Sequence, residues 1–297
     1  MGSNHHQLHG KRLFAIIILN ISISFGQLIG GLISGSLALI SDSIHNFTDV
    51  ASLIISYIAN ILSGKKQNLS HTFGFKRAEI IAAFINGLSL IVISFFLAYE
   101  AIERLIKPEI VDTTYVIWLS LVAIIGNGLS VILLKKEANQ SLNMKSAYVH
   151  LLSDFMVSVV VLIGGIIMKY YPVYWLDPAL TLIISIYLLV LSFRIVIESI
   201  HILMLFTPSN ISIENIEYTI CQVDKVKNIH HVHLWQLNDH DIYLEAHLEF
   251  SENIKLDEFD DICKKIEKIL KSDFNVSHTM LQPEFNREDE KNLIIQD

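Results

Sequence analysis

Cysteine is nearly absent: Cys221 and Cys263 are the only two in 297 residues. They lie far apart, in stretches expected to be helical. Neither a disulfide framework nor a Cys-x-x-Cys site is available, and a reducing compartment fits. Charge is scarce too, at 18% of residues, against about a quarter in soluble globular chains. Most of it lies at the two ends or between apolar runs. Positive charge is not in excess: the formal net charge is -8, with the acid concentrated after Ser209, which argues against a nucleic-acid partner. What remains is apolar, 52% hydrophobic with a mean hydropathy of +0.47. The composition describes an integral membrane protein with a soluble piece attached.

Residues 1–10 contain His5, His6 and His9 behind a Met-Gly-Ser start. This tail is either an expression scar or a natural metal-capturing segment, and it is left out of fold reasoning. Six apolar segments follow, roughly Leu13–Ile33, Leu37–Leu62, Ala78–Ile106, Tyr115–Leu134, Ala147–Met168 and Pro178–Leu205. Each reaches the ~20 residues that cross a bilayer core as a helix. The first is too long for a signal peptide and lacks a clear cleavage site, so it is expected to remain. Only Ser34, Gly35 and Ser36 separate the first two, which makes them antiparallel neighbours. Gly26, Gly30, Gly31 and Gly35 give overlapping GxxxG spacings that permit close helix approach.

Orientation follows from the basic residues. Lys11 and Arg12, then Lys65, Lys66, Lys76 and Arg77, then Lys135, Lys136 and Lys145 fall on one side. Little beyond Arg104, Lys107 and Lys169 falls on the other. The positive-inside rule puts both termini in the cytoplasm, and the run Tyr170 to Trp175 at the outer interface.

The second segment is not uniformly apolar. Ser41 to Ser52 carries Asp42, His45, Asn46 and Asp49. His45 and Asp49 are four apart, which stacks them on one helix face. The fifth segment repeats the pattern with His150 and Asp154. Taken singly, either pair fits a packing group or an intrahelical hydrogen bond as well as a ligand pair. Ionisable groups at membrane depth cost at least ~2.5 kcal/mol each, so two matching pairs argue for use. Two nitrogens and two carboxylate oxygens form a tetrahedral set suited to zinc. Asn20, Gln27 and Asn127 are further polar groups at membrane depth, either supporting these ligands or joining helices.

After Pro208 the character changes. Ile213–Val223 reads as a helix, Ile229–Leu237 as a strand and Ile242–Phe250 as a cleanly alternating strand. Leu256–Lys271 reads as an amphipathic helix and Val276–Gln282 as a last strand. The order αββαβ implies a small α+β sandwich over 209–284, followed by a charged tail, 285–297, expected to be loose. The membrane part occupies 11–208. The soluble part is rich in histidine: His230, His231, His233, His240, His247 and His278. Simple alternation puts His231 and His233 on one strand face and His230 on the other. Surface decoration and a metal site both fit. His71, before the third segment, reads as an exposed histidine.

The stretches SDSIHNFTD, HTFGFKRAEIIAAFIN, YVHLLSD, WLDPALTLIISIYLL and HHVHLWQL resemble the cation diffusion facilitator family of divalent-metal transporters. The resemblance covers about residues 11–284. It implies six transmembrane helices, a cytoplasmic ferredoxin- or metallochaperone-like domain, a homodimer and no enzymatic activity. It implies an intramembrane zinc site at His45, Asp49, His150 and Asp154. In the cytoplasmic domain His230 and His247 match ligand positions, Glu284 is a candidate, and Asp260 stands where a further histidine is usual. His71 matches a linker ligand, but Phe75 replaces its partner. The His-rich loop between the fourth and fifth helices of many eukaryotic members is lacking.

The expected function is efflux of Zn2+, with Cd2+ as a second substrate, exchanged for H+ by alternating access across a bacterial inner membrane. The alternatives are a membrane zinc metalloenzyme and a metal-sensing membrane protein. Catalytic zinc usually keeps three protein ligands and an open position, and two complete pairs leave no obvious vacancy.

Overall fold

The computed structural model describes residues 18, 21–135, 142–171, 173–238 and 240–295; the side chains at 49, 52, 53, 56, 57, 60, 133, 134 and 142–151 lie outside that description. The tail with His5, His6 and His9 lies outside it too, as do Lys11, Arg12 and Asn20. Two compact units emerge, Met1–Tyr57 with Ile85–Ile195, and Ile58–Phe84 with Val196–Asp297.

The first unit is helical. Its helices are α1 (Ile21–Ser34) and parts or all of α2 (Leu37–Ser63), α3 (Ala78–Ile106), α4 (Thr113–Leu134), α5 (Leu142–Tyr170) and α6 (Leu176–Leu203). Among the described residues, four stretches are long and apolar enough to cross a membrane: Ala78–Ile106, Thr113–Ile132, Leu152–Tyr170 and Leu176–Leu203. The described part of α1 is shorter, and α2 carries Asp42, His45, Asn46 and Asp49 in its first half. Large apolar side chains such as Val92, Phe96, Ile132 and Ile183 are exposed on these helices, as expected of surfaces that meet lipid rather than water.

Small residues let the helices approach. A Cβ at Gly164 would lie 2.6 Å from Leu180 Cδ1, and one at Gly165 2.9 Å from Val116 Cγ1. The reversal between α1 and α2 is tight: the Ser36 amide donates to the Gly31 carbonyl at 3.1 Å, and Gly35 has φ +71°. That left-handed conformation suits a residue without a Cβ. Arg104 Nη1 donates to the Gly35 carbonyl at 2.6 Å, which satisfies a group the turn leaves unpaired.

The second unit contains a three-stranded sheet in the order β1 (Val226–Gln236), β2 (Ile242–Phe250), β3 (His278–Glu284). β1 and β2 pair antiparallel; β3 returns parallel to β2 through α8 (Leu256–Phe274). With α7 (Ile213–Ile220) this is the expected αββαβ order. Ile216, Ile220, Ile229, Val232, Leu234, Leu244, Ala246, Leu248, Ile262, Ile266 and Leu270 form its core. Ser212 starts α7 by accepting the Asn215 amide at 3.1 Å. Asn275, left-handed at φ 57°, ends α8.

Four details differ from simple expectation. α7 stops at Ile220, and β3 is shifted to His278–Glu284, which brings Glu284 into the sheet. β1 is bulged: its register slips between His230 and His233, and His231 has φ +51°. Ile229 and Val232 therefore both reach the core, and His230 leaves the face of Val232 and Leu234 for that of His247, its partner in register. The charged tail is not loose over 291–293. The His231 amide donates to the Asn292 carbonyl at 3.2 Å and the Val232 amide to the Leu293 carbonyl at 2.9 Å. Leu293 also packs on the core.

Candidate metal centres

Two groups of side chains have the chemistry to hold a divalent cation. In the helical unit, His45 on α2 and Asp154 on α5 are both buried, with His45 Nε2 3.6 Å from Asp154 Oδ1. That is long for a hydrogen bond. It matches the edge of a zinc tetrahedron, about 3.4 Å for ligand bonds of about 2.0–2.1 Å. Asp49 follows His45 by one turn of α2, and His150 precedes Asp154 by one turn of α5; their side chains lie outside the described residues. One turn before His45, Asp42 accepts from Gln27 Nε2 of α1 at 2.5 Å. Gln27 is thus tied to the polar layer, through Asp42. Asn127 is buried, and its Nδ2 has no hydrogen-bond partner among the described residues.

The second group lies in the αββαβ unit. Ligand atoms of His230, His247, Glu284 and Asp289 all fall within 4.8 Å of one another. The β1 bulge turns His230 toward His247, with ring centroids 5.4 Å apart. The parallel pairing of β3 with β2 places Glu284 beside Glu249, two residues from His247. His230 Nε2 is 3.1 Å from Glu284 Oε2 and 3.7 Å from Asp289 Oδ2. His247 Nδ1 is 2.9 Å from Glu284 Oε1. His230 is fully buried, and its Nδ1 has no hydrogen-bond partner among the described residues.

The electrostatics suit ligation. Burial, outweighing the Glu284 charge, pulls the His247 pKa down and favours the neutral imidazole that binds metals. Burial pushes the Glu284 carboxyl up, but the Lys291 hydrogen bond and charge, helped by His247, hold it below its ordinary range. Lys291 likewise depresses Asp289. Both acids are thereby kept in the ionised form a metal requires. The donor set is two imidazoles and two carboxylates, the same types that the sequence offers at His45, Asp49, His150 and Asp154.

Sequence reasoning named His230, His247 and Glu284 and missed Asp289. The only signal was the alternating charge of Arg287, Asp289 and Lys291 beyond the last strand. Asp260 stays outside the cluster, pairing with Lys264 at 2.7 Å on exposed α8 surface. His71 is exposed, stacked on Phe75 at 4.8 Å, with Nδ1 3.2 Å from Asn68 Oδ1. It joins no three-residue cluster of ligand type among the described residues.

These features coincide with a known architecture. The cation efflux transmembrane domain matches residues 13–204, and the cation efflux protein cytoplasmic domain matches residues 208–285. The chain belongs to the cation diffusion facilitator family, a family of metal-cation transporters, and is a multi-pass membrane protein. It is 34% identical to the cadmium, cobalt and zinc/H(+)-K(+) antiporter of Bacillus subtilis (strain 168), over 99% of this chain and 96% of that one. It is 32% identical to the zinc transporter ZitB of Pectobacterium atrosepticum, over 98% and 91%. It is 28% identical to the metal cation efflux system protein CzcD of Cupriavidus metallidurans, over 95% and 90%.

Proposed function

We propose that this protein exports Zn2+, and the chemically similar Cd2+, from the cytoplasm in exchange for H+. The carrying observation is the 3.6 Å approach of His45 to Asp154, two buried ligand-type groups from separate helices. Asp49 and His150 complete the set. Helices α1 to α6 are six spans in a bacterial inner membrane, with both termini cytoplasmic. The functional form is a homodimer, as the resemblance implies.

The chemistry couples cargo to driving ion. Zinc binds neutral imidazole and ionised carboxylate, so its arrival from the cytoplasm releases protons. A free histidine titrates near ~6.5, within reach of cellular pH. When the site opens outward, protons return to the same atoms and expel the metal. The names of the relatives from Bacillus subtilis and Pectobacterium atrosepticum support this reading. Four ligands on one ion leave no open position for hydrolytic water, which disfavours a metalloenzyme.

His230, His247, Glu284 and Asp289 form a second, cytoplasmic zinc site whose occupancy reports metal supply to the transport domain. The test is Zn2+ uptake by proteoliposomes under a proton gradient. Asp154→Ala or His45→Ala reduces uptake to the protein-free background; uptake equal to the parent contradicts the assignment.

A further inference from the structure

Lys291 stands where a cation would. Its Nζ donates to Glu284 Oε2 at 2.9 Å, pairs with Asp289 Oδ1 and lies 3.4 Å from His230 Nε2. Three of the four clustered ligands thus face one ammonium. The approach is built into the backbone. The bulge amides of His231 and Val232 hold the carbonyls of Asn292 and Leu293, and Asn228 Nδ2 reaches the Lys291 carbonyl at 3.4 Å. Arg287 occupies the other side, donating to Glu284 Oε1 at 2.9 Å. The Lys291 side chain is only 26% exposed, and it reaches a histidine that is not exposed at all.

An ammonium and a divalent metal compete for the same atoms. Zinc needs lone pairs of His230, Glu284 and Asp289 at about 2.0–2.1 Å. The Nζ protons already engage those of the two carboxylates, and two cations cannot share so small a volume. A ligand site that is free for only part of the time binds with its affinity reduced by that fraction.

We propose that Lys291 is a built-in competitor for the cytoplasmic metal site. Its ammonium holds Glu284, Asp289 and His230 together while metal is scarce. A divalent metal enters by displacing it, so the lysine sets the concentration at which the site fills. This rests on reading the four residues as a metal site, and the test separates the two ideas.

The full-length protein in detergent, carrying Asp154→Ala to disable the intramembrane site, is titrated calorimetrically with zinc alone. Lys291→Met tightens binding by about tenfold, the factor expected if the lysine blocks the ligands some nine-tenths of the time. Lys291→Arg, which keeps a cation, stays close to the parent. If Lys291→Met binds no tighter, while His230→Ala with His247→Ala abolishes the site, the competitor is disproved and the site stands. If the double histidine variant loses no zinc, with or without Lys291, both ideas fall. A second measurement needs no substitution. Reductive methylation of the lysines, read by mass spectrometry, proceeds faster at Lys291 once zinc is added; an unchanged or slower rate contradicts displacement.

Discussion

The Asp177 carboxylate accepts the backbone amide of Leu37 at 2.7 Å, so the first turn of α6 caps the first turn of α2. Its other oxygen takes the Ser36 hydroxyl at 2.5 Å. The first amides of a helix have no intrahelical partner, and a negative charge there also complements the helix dipole. His45 lies eight residues beyond Leu37, about two turns along the helix anchored in this way. The start of α2, and with it the height of His45, is therefore fixed by α6 across 140 residues of sequence.

Removing that cap is expected to be costly, because Asp177 and its partners are buried. Asp177→Ala strands the Leu37 amide and the Ser36 hydroxyl, and each unsatisfied buried group costs about 1–3 kcal/mol. The expected outcome is a lower thermal unfolding midpoint in detergent. Asp177→Asn keeps an acceptor and falls in between. An unchanged midpoint for Asp177→Ala contradicts the capping role.

Two glycines of α1 make opposite predictions. A Cβ at Gly31 would lie 2.7 Å from Ile40 Cγ1 and 3.1 Å from the Ile40 amide nitrogen, whereas one at Gly26 meets only Leu119 Cδ2 at 4.0 Å. The backbone atom cannot swing aside. Gly31→Val is therefore expected to destabilise by about 1–3 kcal/mol, the usual range for overpacking. Gly26→Ala is expected to be close to neutral. Thermal melts of the two variants side by side check this.

The segment before α3 is tethered by charge. Lys76 Nζ donates to Asp241 Oδ2 at 2.7 Å, and that bond, outweighing burial, raises the lysine pKa above 10.5. A raised base stabilises the fold below its unfolded pKa, and the contribution fades as pH climbs through the folded value. The tether is thus at full strength at neutral pH and weakens only above 10.5. With both side chains nearly a third exposed, its worth is about 0–1 kcal/mol. Lys76→Met is expected to speed amide exchange over 64–77 with little change in global stability. Unchanged exchange there contradicts the tether.

Much of this was legible in the sequence. The αββαβ order followed from clean alternation at Ile242–Phe250 and the apolar stripe of Leu256–Lys271. The His-x-x-x-Asp spacing singled out His45 and Asp154 one helix at a time, because helix periodicity is a local property; their 3.6 Å approach across two helices is a matter of packing. The cytoplasmic cluster was harder. A bulge at His231 inverts which face His230 occupies, and strict alternation cannot anticipate an extra residue. Asp289 and Lys291 were missed because a charged terminal run reads as solvated. Its docking depends on bulge amides of His231 and Val232 that only the folded strand exposes. Asp177 stood in the WLDPA stretch as a mark of resemblance, and its capping partner is too far away in sequence to infer.

The account centres on one ion site that zinc and protons occupy in turn. Its most direct test follows proton release from proteoliposomes loaded with a pH-sensitive dye as zinc is added outside, with no other gradient imposed. The account predicts zinc-dependent alkalinisation of the lumen for the parent protein and none for Asp154→Ala. Zinc uptake by the parent with no change in lumenal pH would contradict it.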